Sequence, residues 1–261
     1  MQLIAVDIGN SSTKIAVVHT TDDDRWRMET VLRGNDPLNL DLKTLEVSAE
    51  KAFWAVSSVN QTRQKHVQDW IQKHRPDDQF HLIQPDEVDL VTDVESRSKL
   101  GRDRLIAAWM AVQLNNQSGP IIVIDAGTAV TVDWVDENLV FQGGLIFPGA
   151  ELDFRQLGEY TDALPNLTRE RRSDLSAQTG RSMIGKSTHS AIFEGVYQSQ
   201  AAGIRGIVKN MESQSDHAPA IYATGGGIFD IGDRLPKEWN FVPDLVLRGT
   251  RSIGQRLINN N

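Results

Sequence analysis

The stretch Asp7-Ile8-Gly9-Asn10-Ser11-Ser12-Thr13 returns in outline as Asp125-Ala126-Gly127-Thr128-Ala129-Val130-Thr131, and this repetition decides the reading of the fold. Both segments fit D-x-G-x-x-x-T. Each follows a short apolar run, Leu3-Ile4-Ala5-Val6 in one case and Ile121-Ile122-Val123-Ile124 in the other. Each leads straight into another strand-like run, Lys14 to Val18 and Val130 to Val135. Apolar runs of this length bounded by turn residues predict buried strands. The copies lie close to half the chain apart, so the sequence predicts a duplicated unit headed by a strand–turn–strand. Asn115-Asn116-Gln117-Ser118-Gly119-Pro120 is the polar break between the halves. The expected division is an N-terminal lobe over 1–118 and a C-terminal lobe over 119–261.

The remaining periodicity makes the fold α/β. Further strands are expected at 26–32, 52–56, 80–83, 139–141 and 221–223, with Asp136-Glu137-Asn138 as a hairpin turn. Leu38 to Leu45 carries no clear pattern. A polar helix runs from Asn60, a good N-cap, to about Arg75, with Pro76 as its stop. Helices are also expected over 104–114 and over 188–211, and Asn259 to Asn261 as a frayed end.

Composition removes several classes of chemistry. The 261 residues include no cysteine, which excludes a thiolate nucleophile, an iron–sulfur site and a disulfide scaffold. Lys plus Arg number 27 against 35 Asp plus Glu, a net charge of −8, so a nucleic-acid partner is not expected. No window approaches the ~20 apolar residues of a membrane span, and no targeting segment is recognised, so a cytoplasmic protein is expected. The six histidines have no metal-ligand spacing, though His189 beside Thr188 could touch a ligand. Arg169-Glu170-Arg171-Arg172 reads as a solvated charge run. Gly180 to Ser187 matches the P-loop pattern G-x-x-x-x-G-K-S/T, but polar residues precede it where a P-loop needs a buried strand. A loop capping the next helix is the better reading.

A glycine in a tight strand–turn–strand lets backbone N–H groups face an anion without a Cβ in the way. Ser11, Ser12, Thr128 and Thr131 add hydroxyls, and Lys14 adds a positive charge. Asp7 and Asp125 would repel a bare phosphate, so cations must stand between them and it. Taken singly, either turn reads as an ordinary hairpin. Taken as a pair, each after the first strand of its half, they read as phosphate clamps. Gly101-Arg102-Asp103-Arg104 opens a helix. Asp103 there either complements the helix dipole or serves as a general base, with Arg104 binding a substrate anion.

With these residues assembled, the chain resembles the type III pantothenate kinases, from Asp7 to Gly227 in order. Asp7 to Ser11 is similar to the family's first phosphate motif. The resemblance implies that Asp7, Ile8, Gly9, Asn10, Ser11, Ser12, Thr13 and Lys14 line ATP. Gly101, Arg102, Asp103 and Arg104 resemble its G-x-D-R segment, implying contact with pantothenate and Asp103 as proton acceptor. Asp125 to Thr131 is similar to the second phosphate motif, implying a monovalent cation (K+ or NH4+) at Asp125 and ATP contact at Thr128. Gly143 to Gly149 resembles the G-G-x-I-x-P-G stretch. Lys186-Ser187-Thr188 resembles a K-S-T segment whose Thr contacts pantothenate, and Ala223 to Gly226 resembles the adenosine-side glycines, Gly225 and Gly226. Val94 and Arg97 depart from the family's usual aromatic residue and Pro. The resemblance further implies two ribonuclease-H-like lobes of the acetate and sugar kinase/Hsp70/actin fold with an interlobe nucleotide cleft, Mg2+ on ATP, and a homodimer. Two alternatives stay open at this point: another small-molecule kinase on the same fold, and a non-catalytic regulator of the Bvg accessory factor type.

Overall fold

The computed structural model of the protein describes residues 1–20, 26–34, 47, 51–167 and 184–260. The Leu38–Leu45 stretch, the Arg169–Arg172 run and residues 180–183 of the P-loop match lie outside the described residues. The chain forms two compact units, one of Met1–Leu114 with Asp244–Asn261 and one of Asn115–Pro243.

The first unit holds a five-stranded sheet. β1 (Gln2–Ile8), β2 (Thr13–Thr20) and β3 (Trp26–Gly34) form an antiparallel meander, and β4 (Ala52–Ser58) and β5 (Gln79–Leu82) add parallel strands on the other side of β1. The spatial order is β3-β2-β1-β4-β5. β4 is buried along its whole length, as a central parallel strand must be. Side chains alternate between the faces. Ile4, Val6, Ile8, Ile15, Val17, Trp54 and Val56 meet Val67 and Ile71 of α1 (Gln61–His74) on one face. Full burial of each such side chain contributes roughly 1.5–3 kcal/mol. Asn60 caps α1 by accepting the Arg63 N–H at 3.0 Å. Asp78 ties the β4 edge to the following loop, accepting from the Ala52 N–H, the Trp54 indole and Arg75.

The opposite face carries α6 (Leu245–Asn259), with α2 (Arg102–Leu114) packed upon it. The sequence reading did not anticipate α6, and it assigned 244–261 to the C-terminal lobe. The structure places that segment in the first unit instead. The reason is close packing. Leu247 rests on Ala5 and Ala16, and a Cβ on Gly254 would lie only 2.6 Å from the Ala55 Cβ. A Cβ on Gly249 would lie 2.5 Å from Ile106 Cγ2 of α2. Gly254, in the third turn of α6, lets the helix settle on Ala55 and Leu3, and Gly249, in its second, lets α2 close on its other side.

The second unit repeats the plan. β6 (Ile121–Ala126), β7 (Ala129–Val135) and β8 (Phe141–Pro148) form the meander, and β9 (Ala220–Thr224) and β10 (Asn240–Phe241) run parallel beyond β6. The order β10-β9-β6-β7-β8 has the same connectivity as the first sheet. Its core is built from Ile122, Ile124, Val130 and Val132 against Phe193, Val196, Tyr197 and Ile204 of α4 (Thr188–Glu212). α3 (Ala150–Glu159) and the short α5 (Gly226–Ile231) complete the unit, and neither was expected from the sequence. The β7–β8 turn is longer than the predicted Asp136–Asn138. Asp136 Oδ1 accepts the Asn138 and Val140 N–H groups, and Leu139 takes φ 60, so the strand starts at Phe141 and absorbs the Gly143–Pro148 stretch.

Two glycine substitutions test this packing. Gly254→Val is expected to lower the unfolding free energy by about 2 kcal/mol through overpacking against Ala55 and Leu3. Gly203→Ala, on α4 with no heavy atom within 4 Å of the added Cβ, should raise it by up to about 1 kcal/mol. Urea unfolding of both variants reads the difference.

Candidate active site

In the first unit the D-x-G turn joins the ends of two central strands. Antiparallel pairing sets Asp7 opposite Lys14 and Ile8 opposite Thr13, and parallel pairing sets Asp7 beside Ser57 of β4. The Gly9 N–H donates to the Ser12 carbonyl at 2.9 Å and closes the turn. The sequence reading had assigned that N–H to an anion, but it is taken up inside the turn. Ile8 and Thr13 are buried, so their side chains belong to the core and only their backbone can reach a ligand. Asn10 is exposed and Ser11 and Ser12 are half-buried, which leaves these residues as the accessible donors. Lys14 Nζ lies 3.4 Å from Asp244 Oδ1. The Ser57 hydroxyl is fully buried and has no hydrogen-bond partner among the described residues.

Asp103 sits in the first turn of α2, half-buried. Desolvation pushes its carboxyl above the usual carboxylate range. The Arg104 N–H, donating to Oδ1 at 2.8 Å, and the Arg104 charge only partly oppose that rise. A Cβ on Gly101 would come within 2.7 Å of Asp103 Oδ1, so the glycine leaves room for the carboxylate to fold back over the chain. Arg102 is otherwise engaged: its Nε donates to the Ile83 carbonyl at 3.0 Å. Arg97 organises the segment before this helix. Its guanidinium donates to the carbonyls of Pro85, Val88 and Leu90 and to the Thr92 hydroxyl. One planar cation with five N–H donors thus gathers the carbonyls of a stretch that holds only short 3-10 turns, at Pro85–Glu87 and Arg97–Lys99.

The second turn lies in the second unit and is met by two other glycine segments. Asp125 pairs with Thr131 across β7 and with Thr224 of β9. The Gly127 N–H donates to the Ala129 carbonyl at 3.0 Å, so it too is used within its turn. The Gly149 N–H donates to the Thr128 carbonyl at 2.9 Å. Gly225 has φ 91, and a Cβ there would overlap the Ala126 carbonyl and Asp125 Oδ1. Asp125, Thr128 and Gly225, with Gly226 next in the chain, therefore lie at this one turn. Gly149 joins them, a residue the sequence had given no role. Thr188 is the first residue of α4. It lines a groove of about 890 Å³ along α3 and α4, with Leu157, Leu164, Ile192 and Val196. Ser187 caps α4 and exchanges hydrogen bonds with Ser190, which accounts for the helix-start chemistry of the P-loop-like match.

Among the described residues no group of three or more His, Asp or Glu side chains could hold a metal ion. Asp7 and Asp125 each offer one carboxylate. That suits a cation such as Mg2+, which takes one or two carboxylates and completes its shell with phosphate oxygens and water. The orphaned Ser57 hydroxyl beside Asp7 adds one more oxygen on the same strand position.

Comparison with known proteins agrees with this geometry. Residues 3–210 match the sequence profile of the type III pantothenate kinase family. The type III pantothenate kinase of Rhodospirillum rubrum is 31% identical over 264 residues, covering 97% of this chain and 98% of its own. That of Sulfurihydrogenibium sp. is 28% identical over 259 residues, covering 95% and 97%. Among solved structures, the archaeal actin homolog Ta0583 superimposes with a TM-score of 0.50 at 12% identity, covering 98% of this chain and 100% of that one. The PilM–PilN type IV pilus biogenesis complex gives 0.50 at 12% identity, covering 97% and 98%. These structural likenesses carry the fold: two α/β units of one topology, of the actin type. The chain belongs to the type III pantothenate kinase family.

Proposed function

We propose that the protein transfers the γ-phosphoryl group of ATP to the primary hydroxyl of pantothenate, giving 4'-phosphopantothenate for coenzyme A synthesis. Family membership supports the substrates. The observation that carries the chemistry is the desolvated Asp103 carboxyl at the start of α2. A carboxylate with a raised proton affinity is suited to accept the hydroxyl proton as the oxygen attacks phosphorus and the β–γ bridging bond breaks. Arg104 and Thr188 would hold pantothenate, with Gly101 and the Arg102 backbone shaping the approach. Asp7 to Lys14, Thr128, Gly225 and Gly226 would hold ATP, with Ile8 and Thr13 acting through backbone. Mg2+ at the phosphates and a monovalent cation at Asp125, when bound, supply charge screening. Asp7 and Asp125 each bring one carboxylate to their turn, which suits a cation completed by phosphate oxygens, and the transfer itself is mainly positioning. We further propose a cytoplasmic homodimer. Among the described residues no helix is long and apolar enough to cross a membrane.

An assay of the purified protein with MgATP and a panel of hydroxylated acceptors tests the substrate. Robust phosphorylation of another acceptor with none of pantothenate would overturn it. Asp103→Asn should lower kcat by about 10²–10⁴-fold while MgATP still binds. The pH profile has a fixed sign. A raised carboxyl keeps its proton to higher pH, so the active carboxylate is lost early on acidification. The acid limb of kcat should therefore lie above the ordinary Asp value of about 4, and a profile flat down to that pH would sink the base assignment. Gly225→Ala, forced against the Ala126 carbonyl, should raise the KM for ATP by roughly tenfold to a hundredfold.

A further inference from the structure

The chain re-enters the first unit at Asp244, and it does so in the left-handed region, with φ 57 and ψ 39. Among the described residues Asp244 and Leu139 are the two non-glycine residues with positive φ. Leu139 occupies a hairpin turn, where that conformation is ordinary. Asp244 stands at the N-cap of α6, where an aspartate usually takes extended backbone and accepts an N–H of the first helical turn. Here its side chain makes no cap hydrogen bond. The carboxylate is turned instead toward Lys14, with Oδ1 3.4 Å from Nζ and the two side chains only 10% and 20% exposed. A residue that accepts a sparsely populated backbone conformation and forgoes its cap is held there by something else.

The docking of α6 explains how it arrives. Leu247 packs on Ala5 and Ala16, and Gly254 on Ala55 and Leu3. By strand alternation those residues share a sheet face with Asp7, Lys14 and Ser57. The start of α6 is thereby delivered to the open end of the first D-x-G turn.

We infer that Asp244 is a positioning residue for nucleotide phosphate: its carboxylate fixes the Lys14 ammonium at the first turn. The inference rests on the proposal above that this turn binds ATP. A lysine on a four-carbon stem loses rotamer freedom when it engages an anion, and a partner that has already fixed it removes part of that cost. The pair is largely shielded from water, so salt screens it less than a surface pair.

Asparagine tolerates the left-handed region as well as aspartate does, so Asp244→Asn removes the charge and keeps the backbone. Equilibrium titration with MgATP, without acceptor, should show Kd raised about threefold to tenfold. The pantothenate KM should stay within about twofold. In a Lys14→Met background the same replacement should change the MgATP Kd by less than about 1.5-fold, because the ammonium that Asp244 orients is gone. Asp244→Gly relieves the backbone strain, so it should weaken MgATP binding equally without loss of thermal stability. Unchanged or tighter MgATP binding by Asp244→Asn would overturn the inference, as would an equal loss in both Lys14 backgrounds. The titration separates the two readings: a wild-type protein that phosphorylates pantothenate while Asp244→Asn binds MgATP normally defeats this inference alone. A protein that binds MgATP through the Lys14–Asp244 pair yet phosphorylates only another acceptor defeats the substrate assignment alone.

Discussion

Close approach at glycines, where any Cβ would collide with what lies opposite, is the constraint on which both candidate sites depend. At the second turn the Gly149 amide donates to Thr128, and Gly225, at φ 91, lies where any Cβ would overlap Ala126 and Asp125. Two segments far apart in sequence can close on this turn because each brings a glycine: a Cβ on Gly149 would overlap the Gly127 carbonyl, and one on Gly225 the Ala126 carbonyl and Asp125 Oδ1. At the first turn the same demand is met from the other side. α6 presents Gly254 to Ala55 and Gly249 to Ile106, and this brings the helix start against β2. Each site is therefore a product of close packing, and the polar chemistry occupies what the packing leaves open.

The polar groups divide into those spent on structure and those left for a ligand. The amides of Gly9 and Gly127 close their own turns, Arg97 holds three carbonyls and a hydroxyl, and Arg102 holds Ile83. Each satisfies a group that would cost about 1–3 kcal/mol if buried alone. Asp103 is different. Its burial is only partly compensated, by two backbone amides and one neighbouring charge, and its proton affinity rises accordingly. An incompletely satisfied carboxyl is a poor structural element and a good proton acceptor.

An acidic chain that binds two anions must concentrate its positive charge locally. With a net charge of −8 the overall field repels both ATP and pantothenate. Lys14 at the first turn and Arg104 beside Asp103 are the cations that the fold places at the proposed contacts. The Lys14–Asp244 pair shows that even this charge is held by a carboxylate rather than left to swing, so orientation is bought with some of the attraction.

The sequence by itself determined the duplication. A D-x-G turn after a buried apolar strand is a local pattern, and its two copies head two sheets of the same connectivity. It also made the short motifs around Asp125, Thr128 and Gly225–Gly226 legible, because each is a local pattern, and the structure brings Gly225 against Ala126 and Asp125. Only the tertiary structure decided that residues 244–261 return to the first unit, since Leu245 to Asn259 has an amphipathic pattern but nothing in it names the sheet it will cover. The same holds for Asp244 and Gly149. Their roles arise from contacts across long sequence separations, set by which backbones can approach without a Cβ, and no local spacing encodes that. The use of the Gly9 and Gly127 amides was likewise invisible in sequence, because whether a turn amide faces a ligand or its own chain depends on the dihedral angles of the closed turn.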